Sequence, residues 1–185
     1  PSGYYKNGRY FQLSDVLGLE KECNFTNFER RERIQIAKSH WITEDLDMTD
    51  IRFNEKISGV YPLNAMLLAA HFEPEYPLGA QNACNADFAV NEYGKGRSVY
   101  FSGISNNNNS FRLIYKAILW LGKKEKEYKK SLAENPNVDV FYYEKSGVYA
   151  AYNSAEYEIT TAIYDKSGYK SIITLNPKEI KWISG

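Results

Sequence analysis

The chain has 185 residues, 43% apolar and 25% charged, a composition that suits one or two packed domains with a wettable surface. Lys+Arg and Asp+Glu number 23 each, and this zero formal charge predicts no nucleic-acid partner, which usually asks for a basic stripe. The longest apolar stretch, Ala65 to Ala70, is far short of the ~20 residues of a membrane span, and no signal-peptide pattern is read at the start.

Gly3 and Asn7-Gly8 mark a loop-like opening. A helix is expected from Phe11 to Leu17, with Gly18 placed to stop it. Residues 20–39 are charge-rich, including Glu29 to Arg33, and read as a solvated loop or exposed helix. Two strands are expected near Ile51–Phe53 and Ile57–Tyr61, the second ended by Pro62. Asn64 is placed to cap a short helix, or to open an extended run, through Leu68. Residues 73–85 read as a loop. Alternation on both sides of Gly94-Lys95-Gly96 predicts a hairpin over 86–103.

A long helix follows, capped by Asn109 or Ser110. Phe111, Ile114, Ile118 and Leu121 recur at helical spacing, widened by Ala117 and Trp120, which predicts a stripe packed on a sheet. Gly122 marks a bend, and Lys123 to Lys130 continues polar with Glu125 and Lys129 spaced to pair. Asn135-Pro136-Asn137 gives the domain boundary. Beyond it the period changes to two, with strands expected at 138–144, 148–153, 156–165, 170–175 and 179–183, as an antiparallel meander or small sandwich. The domains are therefore 1–135 and 136–185. About fifty residues is small for independent stability, so one sheet face is expected to lean on the preceding domain or on a region outside the chain.

Candidate chemistry is sparse. Cys23 and Cys84 make no metal-ligand spacing and read as two free thiols in a reducing compartment, with a single disulfide as the other arrangement. Cys84 is flanked by Asn82 and Ala86, not by the small-residue pattern of a nucleophile elbow. A hydrolase using Cys84 would need His40 or His71 within hydrogen-bond reach. His40 and His71 alone make no metal site. His40-Trp41 reads either as packed surface or as the border of a sugar pocket, since a Trp face stacks on a sugar ring. The glycines around Lys95 sit between strands, where a phosphate-cradling loop would have to open a helix. No pair of carboxylates is singled out for glycosidic chemistry. No catalytic, cofactor-binding or metal residue is assigned. The 16 Tyr and 9 Phe suit either half-exposed strands or a carbohydrate-stacking surface.

Four runs carry a resemblance. They are Gly8-Arg9-Tyr10-Phe11-Gln12-Leu13-Ser14-Asp15-Val16-Leu17-Gly18, Asn91-Glu92-Tyr93-Gly94-Lys95-Gly96-Arg97, Arg112-Leu113-Ile114-Tyr115-Lys116-Ala117-Ile118-Leu119-Trp120, and Pro177-Lys178-Glu179-Ile180-Lys181-Trp182. In this order, over nearly the whole chain, they resemble the lacto-N-biose/galacto-N-biose phosphorylase family. The resemblance implies a multi-domain enzyme with an amino-terminal TIM-type barrel, a central glutamine-amidotransferase-like α/β domain and a carboxy-terminal β domain. The fold class it implies here is α/β followed by all-β, that is, the end of the central domain plus a small antiparallel β domain. It implies inverting phosphorolysis of a β-galactoside by inorganic phosphate to galactose 1-phosphate, in the cytoplasm, with N-acetylglucosamine, N-acetylgalactosamine or rhamnose as the acceptor. The family's general acid and most of its substrate contacts belong to the barrel, and no position here matches them. The chain is expected to be an inactive carboxy-terminal portion whose partners are the missing barrel and, for the whole enzyme, a second copy. Pro1-Ser2-Gly3, without Met, allows that reading. The alternative is a stand-alone carbohydrate-binding or protein-interaction module, which an exposed row of Tyr142, Tyr149 and Tyr157 would favour.

Overall fold

The computed structural model describes residues 12–21, 28–29, 40–53, 56–57, 60–72 and 84–184. The chain divides into two units, Pro1–Leu121 and Gly122–Gly185. Among the described residues the secondary structure is mostly strand, in five small antiparallel sheets, with two α-helices.

In the first unit, α1 (Ser14–Leu17) stops where expected. Gly18 takes φ 66° and its N–H reaches the Ser14 carbonyl at 2.8 Å. Phe11 lies outside the described residues. Glu20 and Lys21, expected in a loop or helix, belong instead to β1 (Leu19–Lys21). Their partner is distant in sequence, which is why charge patterning alone missed it. β2 (Phe28–Glu29) pairs with β3 (Lys56–Ile57), and β1 pairs with β4 (Val60–Pro62), so the strand expected over 57–61 is two strands with different partners. Pro62 does end the second. The strand expected at 51–53 reduces to one bridge, Phe53 to Ile104.

The main sheet is β5 (Met66–Phe72), β6 (Cys84–Tyr93) and β7 (Gly96–Phe101), in that order. The extended alternative after Asn64 is the one observed. The predicted hairpin is present: Tyr93 pairs with Gly96, leaving Gly94-Lys95 as a two-residue turn with Gly94 at φ 57°. Pairing between β5 and β6 slips at Leu68 and again at Asp87. Such bulges bend a strand and re-aim its side chains. Phe88 and Val90 join one core with Leu68 and Phe53, while Ala86 and Ala89 join a second with Leu19 and Val60.

α2 (Asn108–Leu121) lies on the first of these cores. Its cap is Asn107 rather than Asn109 or Ser110: the Asn107 Oδ1 accepts the Ser110 N–H at 2.8 Å. The buried stripe also differs from the expected one. Of the expected residues Ala117 and Trp120 do face inward, together with Leu113, whereas Phe111 and Ile118 are 57% and 59% exposed. Both stripes have helical spacing, so periodicity does not choose between them. Ser110 does: it is fully buried, tied by its N–H to Asn107 and by its hydroxyl to Ser105 at 3.0 Å, and this fixes the helix's rotation.

The second unit opens with a 3-10 turn at Glu125–Glu127 where a polar helical continuation was expected. Lys123 at φ 55° ends the helical path, and Lys130 pairs with Glu127 at 2.9 Å. Strands β8 (Leu132–Ala133), β9 (Val138–Tyr143), β10 (Val148–Asn153), β11 (Ile159–Tyr164), β12 (Lys170–Leu175) and β13 (Ile180–Ser184) follow. The last five match the expected runs within a few residues; β8 was not anticipated. They form two three-stranded sheets, β13-β10-β9 and β12-β11-β8. Val138 and Ala151 from one sheet meet Ala133, Ile159, Ile163 and Leu175 from the other, which makes a small sandwich.

Two polar devices hold these units. The Gly18 carbonyl accepts N–H bonds from Leu63, Asn64 and Ala65 at 2.9–3.2 Å, and a Cβ on Gly18 would come within 2.6 Å of Asn64 and 2.8 Å of Asn91. In the sandwich Asn153 is fully buried. Its amide nitrogen donates to the carbonyls of Tyr157, Leu175 and Asn176, at 2.8, 3.3 and 2.9 Å, and its oxygen accepts the Ala155 N–H at 2.9 Å.

Gly18→Ala is expected to destabilise the first unit by at least about 1–3 kcal/mol from backbone strain alone, read as a lowered urea midpoint. Asn153→Ala is expected to cost on the order of 3 kcal/mol, because it orphans several buried groups at once. Asn153→Asp should be worse at pH 7, where a carboxylate would face three carbonyl oxygens, and should recover part of the loss at acid pH. Equal behaviour of the two variants across pH would contradict this role.

Candidate functional site

Among the described side chains, the candidate residues form no reaction centre. Cys84 opens β6 opposite Phe72, and His71 sits in β5 opposite Asn85. A nucleophile elbow needs a strand-to-helix turn, and Cys84 is followed by nine more residues of strand. The side chains of Cys84 and His71, and all of Cys23, lie outside the described residues. Among the described residues no three His, Cys, Asp or Glu side chains are grouped as a metal ion would require.

His40 and Trp41 do lie in an organised cluster, at the carboxy-terminal end of α2. The His40 ring meets Trp120 edge-on, with centroids 5.4 Å apart. The Arg97 guanidinium lies 4.7 Å from the Trp120 ring centre, donates to the Trp120 carbonyl at 2.7 Å, and pairs with Glu92 at 3.1 Å. A cation bonded to a last-turn carbonyl suits the negative end of a helix. Lys116, only 1% exposed, donates to the Glu44 carbonyl and lies 5.0 Å from the Trp41 ring centre. His40 Nδ1 accepts the Ile42 N–H at 3.2 Å, which leaves the proton of the neutral ring on the other nitrogen. Burial, ahead of any neighbouring charge, pushes its pKa below the ordinary imidazole value. The cluster thus consists of a neutral imidazole that caps a turn, two indoles and two cations held against them. These groups anchor a helix end and place the 40–45 turn.

A polar pair that no motif or spacing singled out sits on the β6 bulge. Asp87 is fully buried, and its carboxylate accepts the Ser102 hydroxyl at 3.1 Å. Burial, and then the charge of Asp87, pushes the Tyr100 hydroxyl up to about 12.

The tyrosines proposed as a row on the terminal sheet do not form one. Tyr142 and Tyr149 pack together, 4.7 Å between ring centres, and Tyr149 is buried. Lys166 joins them, its N–H donating to the Tyr149 hydroxyl at 3.0 Å and its ammonium to the Tyr142 hydroxyl at 2.9 Å. Tyr157 is exposed, its hydroxyl accepting from the Asn137 amide at 3.1 Å. An exposed aromatic face exists one register step away. Phe141 and Trp182 both pair with Ala150, at Cα positions on either side of β10, and Tyr143 lies 5.5 Å from Trp182. Phe141, Tyr143 and Trp182 are each about half exposed or more. Strand alternation from the buried Val138 would have located Phe141 and Tyr143.

Among the described residues no helix is long and apolar enough to cross a membrane. The β-galactosidase from Rahnella sp. R3 covers 96% of this chain at a TM-score of 0.56 and 16% identity, and Gan42B, a GH42 β-galactosidase, covers 96% at 0.52 and 14%. The match spans 25% of each of those chains, and at this identity the likeness is one of fold. Two curated relatives are named 1,3-β-galactosyl-N-acetylhexosamine phosphorylase. One, from Lachnoclostridium phytofermentans, is 34% identical over 182 residues, 98% of this chain. The other, from Bifidobacterium longum subsp. longum, is 23% identical over 207 residues, 96% of this chain. The chain spans about a quarter of the length of each, 24% and 26%. Residues 1–126 match the lacto-N-biose phosphorylase central domain and residues 132–183 the lacto-N-biose phosphorylase C-terminal domain, one after the other. By these two adjoining matches, the chain belongs to the lacto-N-biose phosphorylase family.

Proposed function

We propose that the chain is the non-catalytic carboxy-terminal portion of an inverting sugar phosphorylase. The observation that carries this is the pair of family domains, central then C-terminal, in a chain about a quarter as long as its relatives. The whole enzyme would convert a galactosyl-β-1,3-N-acetylhexosamine, or galactosyl-rhamnose, and inorganic phosphate to galactose 1-phosphate in the cytoplasm. A phosphate oxygen would attack the anomeric carbon from the face opposite the glycosidic bond. That bond would break as a carboxylic acid protonates the leaving oxygen, inverting the centre. The acid and the phosphate site belong, in this reading, to the preceding barrel. The β5–β6–β7 sheet with α2 would be the end of an amidotransferase-like α/β domain, and the sandwich its β appendage. The strand position of Cys84 supports a supporting role over a glutaminase one.

A phosphorolysis assay with galactosyl-β-1,3-N-acetylhexosamine tests the proposal. The longer gene product should release galactose 1-phosphate and the 185-residue chain should release none. Turnover by the chain alone would overturn the non-catalytic assignment, and inactivity of both would remove this substrate.

The Phe141–Tyr143–Trp182 face favours a second reading, a stand-alone carbohydrate-binding module, because aromatic faces stack on sugar rings. On that reading β-galactosides should change tryptophan fluorescence saturably, and Trp182→Ala should abolish the change. A flat titration removes it.

A further inference from the structure

We infer that the outer face of the β13-β10-β9 sheet, together with its β13 edge, is where this chain packs against the portion of the same polypeptide that precedes the central domain; the inference rests on the phosphorylase reading above. Every residue of these three strands is described. Val138, Val140, Ala151 and Ile183 point into the sandwich core. Alternation sends the residues between them to the other face. There Phe141, Ala150 and Trp182 stand abreast in the middle row. Tyr143 and Val148 lie on one side of that row, Tyr152 and Ile180 on the other. Phe141, Ile180 and Trp182 are 54%, 57% and 62% exposed. A sheet with one face in water carries polar residues on that face. Here Asp139 and Ser184 hold only two diagonally opposite corners, and apolar or aromatic side chains fill the rest.

The backbone points the same way. β13 is an edge strand, paired with β10 alone among the described strands. The Asn153 N–H donates to the Glu179 carbonyl at 3.0 Å. Bonded pairs alternate along an antiparallel ladder, so the next are Ala151 with Lys181 and Tyr149 with Ile183. The N–H and C=O groups of Ile180 and Trp182 therefore point away from β10. An open edge of this kind is a template for an extended segment.

Size and chemistry decide the occupant. Three strands of five residues make a face of roughly 250 Å². That is far below the ~800 Å² per partner of a stable free association, which argues against a second copy. A sugar site needs polar groups converging beside the ring, and the corners held by Asp139 and Ser184 do not converge on the middle row. A tethered neighbour needs no large area, because its effective concentration is on the order of millimolar. The curated relatives carry about three-quarters of their length outside the matched region, and the matched family domains are named central and C-terminal. The occupant is thus an apolar surface of the preceding portion, with an extended run beside β13.

Amide hydrogen exchange, compared between the longer gene product and the 185-residue chain, tests this. The readout is the exchange rate of the Ile180 and Trp182 amides relative to that of Ala151, which is bonded inside the sheet. That ratio should be at least about tenfold lower in the longer protein than in the short chain. Trp182→Lys should return the longer protein to the short-chain ratio, while Trp182→Phe keeps the protection. An equal ratio in the two proteins would overturn the inference, and so would full protection in Trp182→Lys. Protection of the longer protein that disappears on dilution would make a second copy the occupant and equally overturn it. So would a galactosyl-β-1,3-N-acetylhexosamine that saturably protects these amides in the short chain. If the longer protein lacks phosphorolysis but still shows the protection, the substrate reading fails and the docking face stands.

Discussion

The first unit depends on one packing contact, that of α2 against the Phe88 side of the three-stranded sheet. Phe88 is fully buried, with Phe101 stacked at 4.6 Å and Phe53 at 6.2 Å, and Leu113, Ala117 and Trp120 share the same core. Truncating a buried aromatic of this kind costs about 3–5 kcal/mol, a large share of the stability of any small domain. The polar fastenings around it keep the geometry single-valued. Arg97 ties the end of α2 to β7, Asn107 and Ser110 fix its start, and the bulge at Asp87 lets the same sheet present Phe88 to one core and Ala86 to the other. With the helix held at both ends, its rotation is set, and with it the face left outward.

The second unit solves a different problem. Two short sheets meet through mostly small and β-branched side chains, so the core is thin. A domain of this size gains little from apolar burial alone. Asn153 compensates by joining β10 to the end of β12 and to the turn that follows β10 through four hydrogen bonds of one buried amide. Buried polar groups satisfied this fully specify one arrangement of strands.

What was legible in the sequence was what is local. The Gly94-Lys95 turn, the Gly18 stop and the strand alternation after residue 138 each depend on neighbours a few residues away, and each is present. What was missed depends on distant partners. Glu20 and Lys21 are strand because β4 lies beside them. Asn107 caps α2 although three neighbouring asparagines have the same chemistry, and the choice is made by where Ser110 can be buried. The aromatic face was placed one residue out of register because tyrosines were counted without anchoring the alternation at Val138. The stripe on α2 was centred on Phe111 and Ile118, with the buried Ala117 and Trp120 only at its edge, because both sides are apolar. Family membership was legible from four short runs in order; a catalytic site was not, and the described geometry offers clusters that anchor and position.

The exposed apolar side chains of α2, and the lack of a reaction centre among the described residues, suit the proposal that the chain is a supporting part of a larger enzyme. Hydroxyl-radical footprinting of Phe111, Tyr115 and Leu121, compared between the 185-residue chain and the longer gene product, tests this most directly. The account predicts ready labelling of all three in the short chain and strong protection in the long one. Equal labelling in both would contradict it.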